Sequence, residues 1–331
     1  MDPKQFTIPY KGEQLTESKG FRVTVLSSFE GMLSQHRMLL SHAREKAGQD
    51  PSQVLVVMCY NDFSGGKVEA GQRVLLSPEE RALLLTDMGY HHILPWRLPR
   101  DARHKTLEWP VNPELLKKKG GCLLPGADLW SQTAFKKLFK ETAKADSHFL
   151  QQTDQSFAET DPGNKKLQQL TGLVESGALT EAAREMGFAY PLSGYVVEGN
   201  KIGIKLCYPT ANLRLTDHSK VLPGQGAYAG MVNVAGDWHY SMINIGIRPT
   251  IDAENVTIEA HLFNFNDDIY GEYATFTFLG RIRDEMRFSS LADLKHQLDK
   301  DRHQSANILQ YFARGSKERS FIFMQDRIKW S

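Results

Sequence analysis

The sequence predicts two folds in succession: a doubly wound α/β domain, then a small antiparallel β-barrel that ends in a helix. In the first half, short apolar runs alternate with helical segments, whereas from about residue 192 apolar and polar residues alternate with a period of two. A chain of 331 residues also exceeds the size at which one hydrophobic core usually stops growing. We therefore predict domains at residues 1–187 and 188–331.

The first half follows the order β-α-β-α-β. The predicted elements are strands at 21–26, 54–59 and 92–94 and a helix at 35–47. The 54–59 run is apolar throughout, as expected for a strand buried on both faces of a parallel sheet. A second helix begins at Ser77, which forms a capping box with Glu80, and ends before Gly89. This order predicts a ligand crevice at the carboxyl ends of the strands.

The second half begins after a polar stretch at 151–164, which we interpret as a linker. The predicted elements are helices at 165–175 and 180–186 and strands at 228–234, 238–244, 256–263 and 272–278. Gly236 and Asp237 mark a hairpin turn between two of these strands. Antiparallel strands at such short spacing predict a closed barrel. Ser290 is expected to cap the last helix, with Leu291, Leu294 and Leu298 on one face.

Composition excludes several classes of function. The net charge is +1 without a long block of like charge, which argues against a protein that coats nucleic acid. Cys59, Cys122 and Cys207 are widely spaced and form no Cys-x-x-Cys pair, so neither a zinc site nor a disulfide framework is expected. The chain has no apolar run of the roughly 18 residues that a membrane span needs, and its first residues do not resemble a signal peptide. These features predict a cytoplasmic protein without membrane contact, which excludes a transporter.

A glycine-rich segment opens the second half. Glycines at 194, 199 and 203 allow backbone N–H groups to approach a phosphate closely. The Pro-Thr-Ala-Asn sequence that follows offers the hydroxyl of Thr210 and the amide oxygen of Asn212, which suit a magnesium ion bridging nucleotide phosphates. For an isolated segment of this kind, a barrel loop with turn glycines and a buried threonine is the favoured interpretation.

Further motifs follow in order: Asn-Ile-Gly-Ile-Arg-Pro-Thr at 244–250, Glu-Ala-His-Leu-Phe-Asn-Phe at 259–265 and Arg-Ile-Arg-Asp-Glu-Met-Arg-Phe at 281–288. With Pro-Thr-Ala-Asn, this ordered set resembles the riboflavin kinase domain of bacterial bifunctional FAD synthetases over about residues 192–307. Several specific motifs in the right order form a stronger signal than one short motif.

The resemblance implies a riboflavin kinase-like barrel after a nucleotidyltransferase-like (Rossmann-like) domain. It implies that riboflavin and ATP are the substrates, FMN and ADP the products, and Mg²⁺ the cofactor. Thr210 and Asn212 would hold Mg²⁺ and ATP, together with Gly199 and Gly203 of the ATP loop. Glu259 would be the catalytic base that accepts the proton of the riboflavin hydroxyl.

The flavin itself would be bound near Arg283. An outward-facing strand carboxylate without catalytic role is the alternative for Glu259, because residues 258, 260 and 262 share the opposite strand face. His261 is expected to be a structural hydrogen-bonding residue and receives no catalytic role.

The chain departs from the family at two positions of this segment. Ile204 stands where the family usually has arginine, and Cys207 stands where it usually has glycine. Weaker ATP binding is the expected consequence, with Lys205 as the residue that would supply the missing charge.

The N-terminal domain of this family is an FMN adenylyltransferase, and here its markers are altered. Its Phe-Asp-Gly-Val-His-x-Gly-His sequence corresponds to residues 29–36, where Leu33 replaces the first histidine, Gln35 replaces the glycine and His36 alone remains. An apolar side chain cannot stabilise charge on nucleotide phosphates. The Pro-His-Pro segment and the Ser-Ser-Thr-x-Ile-Arg run of the family are absent as well. We therefore predict a degenerate adenylyltransferase site at Leu33 and His36, and a lone His36 is expected to be a surface or capping residue.

Three functions follow from these observations. The first is a riboflavin kinase with a degenerate first domain. The second is a bifunctional FAD synthetase that still adenylylates FMN. The third is a flavin-binding regulatory protein without catalysis, which Ile204 and Cys207 would favour. The sequence does not indicate an oligomeric state.

Overall fold

The structure is a computed structural model that describes residues 21–61, 73–98, 107, 122–130, 132–145, 163–199, 202–249 and 254–315. The predicted linker lies outside the described residues except for its last two positions. The described residues of 73–80 and 169–315 form one compact unit, the barrel unit, and the remaining described residues form the other. The predicted domain boundary after residue 187 stays a prediction.

The first unit contains a parallel four-stranded sheet in the order β3-β2-β1-β4. Its strands are β1 (Val23–Ser27), β2 (Val54–Asn61), β3 (Ile93–Leu98) and β4 (Cys122–Pro125). The helices are α1 (Ser34–Lys46), α2 (Pro78–Asp87), which begins in the barrel unit, α3 (Ala127–Trp130) and α4 (Thr133–Ala145). Residues 54–59 of β2 are all buried, which agrees with a central strand covered on both faces. The predicted α/β fold is confirmed.

The barrel unit contains a closed barrel of six antiparallel strands in the order β10-β5-β6-β9-β8-β7. The strands are β5 (Tyr190–Val197), β6 (Ala211–Leu215), β7 (Gly226–Val234), β8 (Asp237–Pro249), β9 (Glu254–Leu262) and β10 (Tyr273–Arg283). The helices are α5 (Asn164–Glu175), which begins in the first unit, α6 (Leu179–Met186), α7 (Ile202–Lys205) and α8 (Leu291–Gly315). Strands β7 and β8 are joined by Ala235 and Gly236, which both have positive φ and form a tight hairpin. The turn lies one residue earlier than predicted, because Asp237 already pairs with Val234 as the first residue of β8.

Strand β5 contains the first glycine of the predicted glycine-rich loop, and β6 contains the end of the Pro-Thr-Ala-Asn sequence that follows it. Gly194 is an interior residue of β5 and pairs with Ala274 on one side and Leu215 on the other, so the predicted phosphate approach at Gly194 is wrong. A Cβ at this position would overlap the backbone oxygen of Arg214, so glycine is needed for close strand packing.

The terminal helix α8 begins as predicted, because Ser290 Oγ accepts a hydrogen bond of 3.1 Å from the Asp293 N–H. Leu294 and Leu298 pack against a cluster formed by Leu206, Tyr208 and Met242. Leu291 does not share this burial: it is 55% exposed, because it lies in the first turn of the helix, before the packed face begins. No helix within the described ranges is both long and apolar enough to cross a bilayer.

A buried ion pair fastens residues 73–80 to the barrel. The predicted capping box forms between Ser77 and Glu80, with bonds of 2.9 and 3.2 Å. The same Glu80 carboxylate lies 2.8 Å from Lys220 Nζ, and both side chains are 1% exposed. Lys220 also lies over the ring of Tyr190, 4.0 Å from its centroid. Val74 pairs with Lys220 in a short bridge beside them.

Lys220→Met is expected to destabilise the barrel unit by about 3 kcal/mol, because it leaves the Glu80 carboxylate buried without its cation. The double variant Glu80→Gln/Lys220→Met should recover most of this loss. Urea titrations of the full chain would measure both effects. Equal stability of the Lys220→Met variant and the unmodified protein would contradict this role.

Candidate active site

The candidate site is a cavity of about 270 Å³ on the outside of the barrel, between strands β8 and β9 and helix α8. It is lined by Gly203, Leu206, Tyr208, Thr210, Ala227, Met242, Ile243, Asn244, Glu259, His261, Arg283, Glu285, Met286, Phe288, Leu294, Leu298 and Asp301. Four residues selected from the sequence, Gly203, Thr210, Glu259 and Arg283, are among them. The cavity combines an apolar wall with a few convergent polar groups, as is typical of small-molecule sites.

Strand register brings the polar groups together. Glu259 on β9 pairs with Asn212 on β6 and with Asn244 on β8, so the three residues lie side by side across three strands. Ile258, Ala260 and Leu262 are buried while Glu259 and His261 are partly exposed, which confirms the predicted alternation along this strand. The Thr210 hydroxyl donates a hydrogen bond of 3.2 Å to Glu259 Oε2.

Arg283 is held at one wall by a buried carboxylate. Its Nε lies 3.0 and 2.9 Å from the two oxygens of Asp301, and its Nη2 lies 2.8 Å from Asp301 Oδ2. Asp301 is 1% exposed and accepts a further bond of 2.8 Å from Gln297. The bidentate geometry fixes the plane of the guanidinium, whose other edge bonds the Asp284 carbonyl oxygen.

A second carboxylate, Glu285, lines the same cavity as Glu259. Burial raises the pKa of Glu285 and the charge of Glu259 adds to the rise, while Arg283 and a hydrogen bond with Asn244 oppose it. Two carboxylates near one cation are a common arrangement where protons or metal ions are handled.

Residues 203–210, the loop segment, form the edge of the cavity. The Gly203 carbonyl accepts bonds of 3.0 and 2.8 Å from the N–H groups of Leu206 and Tyr208. A Cβ on Gly203 would overlap the Tyr208 backbone oxygen, so this position requires glycine. Tyr208 Oη donates to Asp299 on α8 at 2.5 Å. Burial, together with this carboxylate, raises the pKa of Tyr208 to about 12.

The other predicted ATP residues are placed differently. Gly199 packs closely against the Asn212 side chain. A Cβ at this position would overlap that side chain, so the contact requires glycine. Lys205 is exposed on α7 and lines neither this cavity nor the one beside it, so its contact with ATP stays a prediction. Ile204 is 56% exposed.

A second cavity of about 250 Å³ adjoins the first and shares Thr210 with it. Its lining is Val196, Pro209, Thr210, Ala211, Leu262, Phe265, Asn266, Asp267, Asp268, Ile269 and Tyr270. Thr210 therefore stands between two spaces, one beside Glu259 and one beneath residues 265–270.

Cys207, which replaces the usual glycine, adopts a φ of 63° in the left-handed region. A side chain costs about 1 kcal/mol or more in this conformation. Cys207→Gly is therefore expected to stabilise the barrel unit by about 0.5–1 kcal/mol, since glycine removes this cost but adds freedom to the unfolded chain. Thermal unfolding would measure the gain. Cys207→Ala is the matched control, which retains Cβ and should give no gain; equal effects of the two substitutions would contradict the explanation.

In the first unit, both residues of the predicted adenylyltransferase site are buried. Leu33 is 3% exposed and His36 is 2% exposed, so His36 is not a surface residue. It is a capping residue, which is the other role predicted for it. Its Nδ1 accepts a bond of 3.1 Å from the Leu33 N–H at the start of α1. Its Nε2 lies 3.8 Å from Asp128 Oδ2. One ring nitrogen is thus used by the helix start, and the other faces a carboxylate.

Asp128 is held in its charged form by the same cluster. Burial acts to raise its pKa, but His36 and hydrogen bonds from Ser28 outweigh burial and hold the pKa at about 2. Ser27 Oγ and the Ser28 N–H each donate to this carboxylate at 2.8 Å. The cluster stabilises the connection between β1 and α3 from within.

Comparison with known proteins supports the assignment of the barrel unit. Residues 186–309 match the family model described as "Flavokinase: Riboflavin kinase". The bifunctional riboflavin kinase/FMN adenylyltransferase of Haemophilus influenzae is 41% identical over 117 residues, which cover 35% of this chain and 37% of that protein. The match thus spans less than half the length of that relative. A Bacillus subtilis protein named RNA-binding riboflavin kinase RibR is 39% identical over 111 residues, covering 33% of this chain and 47% of that protein.

One relative extends the match across both units. The bifunctional riboflavin kinase/FMN adenylyltransferase of Escherichia coli is 27% identical over 289 residues, which cover 84% of this chain and 90% of that protein. The barrel unit therefore matches a riboflavin kinase model, and most of the chain is similar to a bifunctional riboflavin kinase/FMN adenylyltransferase. Against the family pattern that it resembles, the chain keeps the kinase motifs and departs at the adenylyltransferase markers.

A solved structure shares the fold of this chain. A Streptococcus pneumoniae protein titled "Macrolide-efflux Protein" superposes with a TM-score of 0.65 at 24% identity and covers 88% of this chain and 95% of its own. At that identity, the likeness shows the fold alone.

Several cavity residues were missed by sequence reasoning. Asn244 and Glu285 belong to motifs that carried the resemblance, so their motifs could have indicated them. Tyr208 follows the loop glycines, and nothing in its sequence surroundings indicates a bond to α8. Asp301 is an acidic residue in an amphipathic helix, and only the fold shows that it pairs with Arg283.

Proposed function

We propose that the chain is a riboflavin kinase, which transfers the γ-phosphoryl group of ATP to the 5′-hydroxyl of riboflavin. The observation that carries the proposal is that Thr210, Glu259 and Arg283 line one cavity. Asn212 does not line it but pairs with Glu259 on the neighbouring strand. The family match at residues 186–309 supports the same reaction.

In the proposed reaction, the flavin occupies the cavity of about 270 Å³, between the apolar wall and Arg283. Glu259 accepts the proton of the 5′-hydroxyl as its oxygen attacks the γ-phosphorus. The new O–P bond forms while the bond from the γ-phosphorus to the bridging oxygen of ADP breaks, and ADP leaves with that electron pair. The cavity supplies position, and its charged groups supply electrostatic stabilisation.

The adjoining cavity suits the nucleotide end of ATP. Because both cavities share Thr210, a nucleotide in the second one directs its phosphates past the Thr210 hydroxyl towards Glu259. We therefore assign Thr210 and Asn212 to the phosphates and their metal ion, with Gly203 at the edge of the same passage.

The donor set fits Mg²⁺. A hydroxyl and an amide oxygen are hard ligands, and Mg²⁺ usually completes its shell with phosphate oxygens and water. Bound there, Mg²⁺ would neutralise charge on the transferring phosphates.

The proposal is tested by incubating the purified chain with riboflavin and ATP and separating the flavins by chromatography with fluorescence detection. FMN is expected to accumulate with MgCl₂ present and to be absent when EDTA exceeds the metal. If riboflavin remains unconverted while it still binds, the regulatory alternative replaces the kinase.

For the first unit, we propose the loss of adenylyl transfer, because Leu33 and His36 are enclosed in the protein and His36 already caps α1. FMN offered with ATP should then remain FMN. We expect no nucleic acid or membrane partner, and the cytoplasmic location stays a prediction.

A further inference from the structure

The backbone pairing between β6 and β9 ends at Ala211 and Ala260. Thr210, which the proposed kinase needs precisely placed, lies just outside this pairing. Its hydroxyl contacts Glu259. No backbone pair between these strands extends to Pro209 and Thr210, so the peptide bearing the hydroxyl needs another support.

That support is a side chain. His261 Nδ1 lies 2.8 Å from the Pro209 carbonyl oxygen. A carbonyl oxygen only accepts hydrogen bonds, so Nδ1 must carry the proton. The His261 side chain therefore bonds the Pro209–Thr210 peptide to β9, the strand that bears Glu259, at the point where the backbone pairing ends.

The ring of His261 is itself fixed in place. It packs against the ring of Tyr208 at 5.0 Å between centroids and against Phe263 at 5.7 Å. Tyr208 is bonded to Asp299 of α8, so two successive residues of the loop segment are anchored, one to α8 and the next to β9. A rigid ring loses little conformational freedom when it makes this bond.

We infer that His261 is a positioning residue for the nucleotide: its Nδ1–H holds the Pro209–Thr210 peptide so that the Thr210 hydroxyl meets the phosphates and their metal ion. This inference rests on the proposed kinase function. It predicts that loss of the Nδ1 bond weakens nucleotide binding specifically. His261 also lines the flavin cavity, so any effect of its replacement on riboflavin binding should not depend on which ring nitrogen is mimicked.

A pair of amide substitutions at this position tests which ring nitrogen matters. In His261→Asn the introduced amide nitrogen occupies the place of Nδ1, whereas in His261→Gln it reaches the place of Nε2. Both variants are polar and of similar size, so a purely structural effect would appear in both. Calorimetry with Mg²⁺ and ADP, riboflavin titration by fluorescence, and thermal unfolding are measured for each variant and for the unmodified protein.

The Kd for Mg²⁺-ADP is expected to rise about five- to ten-fold in His261→Gln and to stay within about two-fold of the unmodified protein in His261→Asn. The Kd for riboflavin and the unfolding temperature should be the same in both. Equal ADP affinity in the two variants, or a riboflavin affinity that is lower in His261→Gln than in His261→Asn, would overturn the inference alone. An unmodified protein that binds no Mg²⁺-ADP and forms no FMN would overturn the proposed function as well.

Discussion

Glu259→Gln is expected to slow FMN formation by about 10²- to 10⁴-fold, the usual range for loss of a general base. The amide keeps the size of the side chain and still accepts the hydrogen bond from Thr210, but it cannot take the proton of the attacking hydroxyl. The loss should therefore fall on kcat, with KM for riboflavin and for ATP changed only slightly. Initial rates measured by flavin chromatography would separate these constants.

The control for this substitution is Glu181→Gln, which changes an exposed carboxylate on α6, away from both cavities. Its rate should equal that of the unmodified protein. If Glu259→Gln retained more than half of the activity, the proton would have to go elsewhere, and Glu285, which lines the same cavity, would be the next carboxylate to test.

Asp301→Leu is expected to destabilise the barrel unit by about 3–5 kcal/mol, because it leaves the Arg283 guanidinium largely buried without its carboxylate. Riboflavin binding should weaken as well, since the plane of the guanidinium is no longer fixed. Urea titration and riboflavin titration by fluorescence would measure the two effects.

The double variant Arg283→Met/Asp301→Leu separates stability from binding. Removing both charges should restore most of the lost stability, because no unpaired charge stays buried. Riboflavin affinity should remain low, since the flavin still lacks Arg283. Recovery of both properties in the double variant would contradict the role of Arg283 in flavin binding.

Much of the barrel site could be predicted because its chemistry lies in short, ordered motifs. Thr210, Asn212 and Glu259 were selected from the sequence, and strand register brings Asn212 and Glu259 into direct pairing. The period-two alternation around Glu259 also predicted which strand face it occupies. Local sequence carries this information because each motif lies within a single strand or turn.

Other features depend on contacts between residues far apart in the chain. The pairing of Arg283 with Asp301 and the bond from Tyr208 to Asp299 require the position of α8 on the barrel, which no local pattern encodes. The loop predicted at Gly194 is a strand because two neighbouring strands pair with it, and the close approach of one of them requires glycine. Tertiary pairing here outweighs the turn preference of a glycine-rich segment.

The first unit shows the same division. Its strands follow from buried apolar runs such as 54–59, which the sequence displays directly. The replacement of the first histidine of the family's pair by Leu33 was also visible in the sequence. That His36 is buried beside Asp128 depends on the distant residues 127–130 and could not be read locally.

The central claim, phosphoryl transfer to riboflavin without adenylyl transfer, is tested most directly with ATP labelled at either the γ- or the α-phosphorus. Purified protein is incubated with riboflavin, Mg²⁺ and each labelled ATP, and the radioactivity in the separated flavins is counted. We predict one γ-label in each FMN formed and no α-label in any flavin. Label from the α-phosphorus in a flavin would show that the first unit adenylylates FMN, and the absence of γ-label from all flavins would contradict the kinase.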